Sequence, residues 1–148
     1  MKLIGLIGGL SWESSAAYYA LLNREAQARL GGAHSARTLM HSLDFGEIEK
    51  LQHRGDWAEA SARVLDAAQS LERGGADFLV ICSNTMHVAA PAIDRACGIP
   101  LIHIADPTGA AIKAAGFKRI GLLGTAYTME KPFLKDRLDQ RHGLHILT

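Results

Sequence analysis

Short apolar runs alternate along the chain with longer amphipathic segments. Runs of this length predict strands, and the most apolar of them are typical of strands buried on both faces of a sheet. The six predicted strands are residues 3–7, 38–43, 77–82, 101–104, 119–123 and 145–147.

Helical periodicity and capping residues predict helices in the intervals between the predicted strands. Ser11 stands at an N-cap position before a helix that runs to about Leu30. The apolar positions of this helix recur at steps of three and four residues, and they are Trp12, Ala16, Tyr19, Leu22 and Ala26. Asp56 and Glu59 have capping-box spacing and predict a second helix, to about Arg73.

Proline positions mark the start of further helices. Pro91 suits the first turn of one helix. Asp106 is predicted as an N-cap, with Pro107 at the first helical position, and this helix ends at Gly116. The last predicted helix covers residues 129–140.

The alternation of strands and helices predicts the fold class. It indicates an α/β fold with a mostly parallel sheet flanked by helices. Ligands of such sheets bind beyond the carboxyl ends of the strands. This rule predicts the candidate ligand-binding segments at residues 8–11, 83–85 and 124–127.

A six-residue pattern occurs twice. Residues 4–9 are Ile-Gly-Leu-Ile-Gly-Gly and residues 120–125 are Ile-Gly-Leu-Leu-Gly-Thr, with four of the six positions identical at an offset of 116. Convergence of glycine-rich turns and a true duplication both explain this pattern. With duplication, residues 1–105 form a first α/β domain. Residues 106–148 then begin a second, pseudo-symmetric domain.

Composition narrows the function classes. Hydrophobic residues make up 48% of the chain, which is too many for a disordered protein. The formal net charge is +1, so the chain lacks the basic surplus that binding to nucleic acid or to an acidic membrane requires. No apolar stretch approaches the length that a bilayer requires. The two cysteines, Cys82 and Cys97, exclude a disulfide scaffold, so we expect a cytoplasmic protein.

The segment richest in chemical groups is residues 82–87, Cys-Ser-Asn-Thr-Met-His. Backbone N–H groups before a helix could hold a carboxylate there, although these residues also suit a turn with a helix cap. Cys82 continues the apolar strand, as an inert buried thiol would. His142 and His145 have close spacing, but Gly143 between them breaks a helix, and we expect no metal site.

Four segments together resemble the aspartate/glutamate racemase family of cofactor-independent amino-acid racemases. The segments are residues 8–14, 41–45, 82–87 and 123–130, in that order along the chain. The resemblance implies two similar α/β domains with an active site between them, an amino-acid substrate, no cofactor and a homodimer. It also implies two bases on opposite faces of the substrate α-carbon, both of them usually cysteines.

The chain departs from this family pattern at both bases. Ser83 occupies the position directly before Asn-Thr where the first cysteine is expected, and Cys82 lies one residue earlier. We predict Ser83 as the catalytic residue, with Cys82 as the alternative. On the duplication interpretation, the second base lies about fifty residues beyond Thr148. The resemblance also implies a C-terminal return segment of the first domain, which residues 1–105 lack. The 148-residue chain is therefore expected to be an incomplete, inactive form.

The resemblance also implies a set of substrate-binding residues. Asn84, Thr85 and Thr125 would hold the α-carboxylate, and Leu10, Ser11 and Gln52 would line the side-chain end. Two other functions remain open. One is a related decarboxylase or hydantoin racemase on the same fold, and the other is an inactive domain that binds amino acids or only dimerises.

Overall fold

The computed structural model describes residues 1–148, which fall into two compact units, Met1–Leu101 and Ile102–Thr148. The first unit contains a three-stranded sheet with helices, and the second contains a two-stranded sheet with helices. Both sheets are parallel, as predicted. The assignment of residues 106–148 to the start of a repeated domain stays a prediction.

The sheet of the first unit has β1 (Ile4–Gly8) at its centre, between β2 (Thr38–Ser42) and β3 (Phe78–Ile81). Every residue of β1 after Ile4 is buried, as expected for a strand covered on both faces. Because β1 runs parallel to both neighbours, all three strands end at the same edge of the sheet. The loops that follow them meet there.

Helices alternate with strands in both units. The first unit has helices α1 (Trp12–Leu30), α2 (Phe45–His53), α3 (Trp57–Arg73) and α4 (Ala90–Ala96), and a 3₁₀ helix over Thr85–Ala89. The second unit has α5 (Ala105–Ala114), β4 (Arg119–Gly121), α6 (Ala126–Glu130), α7 (Pro132–His142) and β5 (His145–Leu147).

Capping side chains begin the two longest helices, as predicted. The Ser11 side chain accepts a hydrogen bond from the Ser14 N–H at the start of α1, and Asp56 accepts one from Glu59 at the start of α3. Each bond satisfies a main-chain donor that has no partner within the helix. Pro91 lies in the first turn of α4, also as predicted.

The core of the first unit lies between α3 and the sheet. Helix α3 contributes a buried stripe that consists mostly of small side chains: Ala60, Val64, Ala67, Ala68 and Leu71. These residues belong to one apolar cluster with Ile7, Leu79 and Ile81. Small side chains on a helix allow it to lie close to the sheet, where dispersion contacts are strongest.

The predicted apolar face of α1 is wrong in the first half of the helix, whereas Leu22 and Ala26 in the second half are partly buried. Trp12 is 70% exposed, Tyr19 is 50% exposed, and Ala16 is exposed as well. The buried residue of the helix is Ser15. Spacing alone was ambiguous here because α1 contains apolar residues around most of its circumference, so docking on the sheet decided which face is covered.

Three predictions for residues 101–140 also need correction. Residues 101–104 form no strand; Leu101 makes only an isolated bridge to Leu79. Asp106 lies inside the first turn of α5, whose N-cap is Ile104, and its carboxylate binds Arg137. The single helix predicted over residues 129–140 is two helices, because the residue before a proline is pushed into an extended conformation.

An ion pair ties α5 to α7 in the second unit. Arg137 donates two hydrogen bonds of 2.7 Å to the two carboxylate oxygens of Asp106, and Arg141 donates a third of 3.3 Å. The Arg137 hydrogen bonds hold the pKa of Asp106 below its usual range, against the opposing effect of burial. The buried apolar cluster of this unit consists of Ala105, Leu134, Leu138 and Leu144.

None of the helices combines the length and the apolar character needed to cross a membrane.

The contact between Gly9 and Leu43 makes Gly9 sensitive to substitution. Gly9 has φ +73°, and an added Cβ would meet the Leu43 main chain. Gly55 has the same φ with open space around it. We expect Gly55→Ala to lower the free energy of unfolding by about 1–3 kcal/mol from backbone strain, and Gly9→Ala to lower it by at least twice as much. Urea unfolding of both variants measures this, and equal losses would contradict the steric role of Leu43.

The Asp106–Arg137 ion pair predicts a pH-dependent stability of the second unit. Because the folded-state pKa of Asp106 is lowered, the pair contributes fully above the ordinary value of 3.8 and is lost as pH falls through the folded value. We expect Asp106→Asn to be less stable than the wild type at pH 7, with a difference that shrinks below pH 3.8. Urea unfolding, monitored through the NMR amide signals of α7, measures this difference in stability.

Asp136→Asn removes the same charge from an exposed position on α7. It should leave the pH dependence of unfolding close to that of the wild type. If the free energy of unfolding of Asp106→Asn had the same pH dependence as that of the wild type, the prediction would be contradicted.

Candidate functional site

Loops after β1 and β2 meet at the carboxyl edge of the first sheet. The Leu43 N–H donates to the Gly8 carbonyl at 3.0 Å, which continues the pairing of the two strands into their loops. The Gly9 N–H donates to Ser15 Oγ at 2.9 Å, and Ser15 Oγ donates to the Ser11 carbonyl at 3.1 Å. The loop after β1 is therefore fixed both to its neighbour and to the first turn of α1.

The segment after β3 forms a tight turn around Ser83. Ser83 Oγ accepts a hydrogen bond of 3.4 Å from the Met86 N–H, and the Asn84 carbonyl accepts one of 3.1 Å from the His87 N–H. The Ser83 carbonyl lies 2.6 Å from His87 Nδ1. Main-chain and side-chain bonds thus hold Ser83 at the end of the strand.

Cys82 and Ser83 have different environments although they are adjacent. The Cys82 side chain is fully buried, and its N–H donates to the Ile7 carbonyl at 2.9 Å, whereas Ser83 is partly exposed. Burial raises the pKa of the Cys82 thiol to about 12. Burial, and to a lesser extent Cys82, also raises the pKa of the Tyr18 phenol. A thiol in this state is neither accessible to a ligand nor ionised at neutral pH.

Asn84 and Thr85 remain accessible at the edge of the sheet. Asn84 is exposed and Thr85 is partly buried at the start of the 3₁₀ helix. Together with Ser83 they present two hydroxyls and an amide on consecutive residues. Hydroxyl and amide groups can donate to a carboxylate, so the segment has the chemistry that the resemblance implies for an α-carboxylate site.

The three residues predicted at the substrate side-chain end have different surroundings. Leu10 is buried within the core of the first unit. Ser11 Oγ donates to Glu13 Oε2 at 2.8 Å and caps α1. Gln52, on α2, is buried, and its Nε2 donates to Met86 Sδ at 3.2 Å, next to the Ser83 turn. Their contact with a substrate stays a prediction.

Thr125 belongs to the second unit, where it caps α6. Its Oγ1 accepts from the Thr128 N–H at 3.3 Å and shares a hydrogen bond of 3.1 Å with Thr128 Oγ1. Its predicted role toward the α-carboxylate stays a prediction.

Sequence reasoning missed Ser15, and it placed His87 in the candidate segment without giving it a structural role. Ser15 holds the loop after β1, and His87 holds the carbonyl of Ser83. His87 follows Ser83 by four residues, a spacing that places the two on one side of a helical turn. That spacing was visible in the sequence, but the burial of the imidazole was not.

No group of three or more His, Cys, Asp or Glu side chains is arranged to hold a metal ion. The polar groups at the carboxyl edge are hydroxyls, amides and main-chain N–H groups. The carboxyl edge of a parallel sheet is where α/β domains commonly bind ligands.

Comparison with known proteins identifies the family. The model of the Asp/Glu/hydantoin racemase family matches residues 7–147, and the chain belongs to this family. The broad specificity amino-acid racemase RacX of Bacillus subtilis (strain 168) is 33% identical over 75 residues, which are 51% of this chain and 33% of RacX.

Solved structures share the fold over nearly the whole chain. A Yersinia pestis protein provisionally assigned as an Asp/Glu racemase is 51% identical with a TM-score of 0.94 over 100% of this chain. An aspartate racemase homologue from Pyrococcus horikoshii OT3 is 28% identical with a TM-score of 0.86 over 99% of the chain. This chain spans 64% of the length of each of those two structures.

A more distant structure supports the fold alone. The aspartate racemase of Picrophilus torridus is 17% identical, with a TM-score of 0.78 over 99% of this chain and 62% of its own. The predicted α/β fold and the family resemblance are thus confirmed.

The environment of Cys82 predicts its reactivity. At pH 8 a thiol with a pKa of about 12 is ionised in about one molecule in ten thousand. Cys97 is only partly buried, although burial, and then Glu72, raise its pKa as well. We expect iodoacetamide to label Cys97 at least tenfold faster than Cys82, as measured by peptide mass spectrometry.

Cys97→Ser is the matched control, because Cys82 is the one cysteine that remains in this variant. Labelling of this variant should be negligible until urea unfolds the chain. Fast labelling of Cys82 in the folded variant would contradict its assignment as an inert thiol.

Proposed function

We propose that this chain supplies one half of the active site of a cofactor-independent amino-acid racemase acting on aspartate, glutamate or a related amino acid. The observation that supports this most directly is the arrangement after β3. Ser83 is accessible at the carboxyl edge, directly before Asn84 and Thr85, while the neighbouring thiol of Cys82 is buried. Membership of the racemase family supports the reaction class.

Racemisation needs two proton transfers at one carbon. In the proposed reaction one base removes the α-proton, and an acid on the opposite face delivers a proton to the resulting carbanion. Donors on the α-carboxylate stabilise the negative charge that develops there. We assign Ser83 to one face, and Asn84 and Thr85 to the carboxylate. The second base would be the counterpart of Ser83 in a repeated domain, not one of the 148 residues.

A serine is a weaker acid and base than a cysteine at this position. The hydrogen bond that Ser83 Oγ accepts from the Met86 N–H favours the more negative form of the oxygen. The proposed site is therefore asymmetric: Ser83 donates or relays a proton, and the opposite face performs the harder abstraction. A homodimer and a cytoplasmic location complete the proposal, and they rest on the family resemblance and the low cysteine content.

Amino-acid binding tests the proposal without requiring the second base. We expect L- or D-aspartate or glutamate to shift the amide signals of residues 83–85 in ¹H–¹⁵N spectra of the 148-residue chain. Thr85→Ala should weaken this binding about tenfold or more, because a hydrogen bond to a charged group contributes about 1.5–3 kcal/mol. Thr108→Ala, in an exposed position of α5, is the control. Absence of binding for all four amino acids would contradict the proposal.

Proton exchange in D₂O tests the role of Ser83. We expect the 148-residue chain to exchange the α-proton of neither enantiomer of aspartate or glutamate above the rate in buffer, because Ser83 donates or relays a proton and the abstracting base is proposed to lie outside these residues. In a form of the protein that supplies both bases, Ser83→Ala should lower exchange by about a hundredfold or more, whereas Ser35→Ala, in an exposed loop, should not change it. Exchange of both enantiomers would place the second base within residues 1–148 and direct attention to Cys82 and His87.

A further inference from the structure

His87 is a buried polar ring attached to the turn that contains Ser83. His87 is 1% exposed, and its Nδ1 lies 2.6 Å from the Ser83 carbonyl oxygen. Burial of an imidazole is favourable only when its polar atoms are hydrogen-bonded. The short distance therefore marks a bond on which the local structure depends.

This contact defines the tautomer of the ring. A carbonyl oxygen can only accept a hydrogen bond, so Nδ1 must carry the proton. A ring protonated only at Nε2 would place two acceptors 2.6 Å apart in a buried position. The Nδ1–H form is thus required wherever the turn has this geometry.

The same contact orients the peptide group between Ser83 and Asn84. The chain has no cis peptide bond, and the C=O and N–H of a planar trans peptide point in opposite directions. With the Ser83 C=O directed at the buried ring, the Asn84 N–H is directed away from it. Asn84 is an exposed residue, and its N–H is on the side of the peptide opposite to the buried ring.

Three other hydrogen bonds near the turn do not involve the Ser83 carbonyl. The Met86 N–H donates to Ser83 Oγ, and the His87 N–H donates to the Asn84 carbonyl. Gln52, on α2, donates to the side-chain sulfur of Met86. The contact with His87 Nδ1 is therefore the one among these that acts on the Ser83 carbonyl.

We propose that His87 is a positioning residue that, through its Nδ1–H, holds the 83–84 peptide so that the Asn84 N–H faces the substrate α-carboxylate. The effect on the carboxylate rests on the proposed function. The orientation of the peptide does not, because it follows from the geometry of this chain alone. His87 acts through Ser83 and Asn84 and does not itself touch the substrate.

Three substitutions distinguish the effect of the hydrogen-bond donor at Nδ1 from the effect of the volume of the ring. In His87→Asn the side-chain amide nitrogen can occupy the place of Nδ1 and keep the donor. In His87→Gln the amide reaches toward the place of Nε2, and in His87→Leu no donor remains. A residue that only fills space would tolerate Leu better than Asn, whereas a positioning residue would show the opposite order.

The first measurement is the ring ¹⁵N spectrum of the folded wild-type chain, which distinguishes the two neutral tautomers. We expect the Nδ1–H form at pH 8. The Nε2–H form, or an exchanging mixture, would overturn the proposal. This result does not depend on any amino acid binding, and it stands even if a variant fails to fold.

The second measurement compares the variants by the amide shift of Asn84 and by binding of L-aspartate. We expect His87→Asn to keep the wild-type Asn84 shift and to bind within about threefold of the wild type. His87→Gln and His87→Leu should displace the shift and weaken binding about tenfold or more. An unchanged Asn84 shift in His87→Leu would overturn the orienting role. A displaced shift with no aspartate binding even to the wild type would support the orienting role and contradict the proposed function.

Discussion

The parallel pairing of β1 with both of its neighbours is the constraint on which the site depends. A strand that is buried on both faces can satisfy its main chain only by pairing on both sides, and β1 pairs with β2 and β3 in this way. Parallel pairing then brings the carboxyl ends of all three strands to one edge. The loop after β1 and the Ser83 turn are neighbours because of this arrangement, although more than seventy residues separate them in the sequence.

The contrast between Cys82 and Ser83 shows how one step along a chain changes chemistry. Cys82 completes the buried strand, and loss of solvation raises its pKa to about 12. Ser83 begins the turn, where its hydroxyl meets a main-chain N–H and remains partly accessible. A thiol would be the better acid or base, but here it lies on the side of the main chain that faces the core. This arrangement is the reason that we propose an asymmetric division of the two proton transfers.

The second unit uses a different kind of restraint. Its buried apolar cluster is small, and the partly exposed pair between Asp106 and Arg137 adds a bidentate contact between α5 and α7. Such pairs specify geometry more than they add stability. The sequence predicted a local role for Asp106, as an N-cap, because capping depends on neighbouring residues. Its actual partner is on another helix, which no local pattern could reveal.

The sequence by itself determined the α/β class, the three strands of the first sheet, the caps at Ser11 and Asp56, and the polar turn after β3. These features follow from periodicity and from side chains that act on residues within one turn of the helix. The burial of Cys82 was already indicated by the apolar strand that it continues. Only the tertiary structure decided which face of α1 is buried, how far Ser83 is exposed, and that His87 holds the Ser83 carbonyl. The physical reason is that burial and solvation are set by packing between distant segments, whereas capping and periodicity are set by neighbours in the chain.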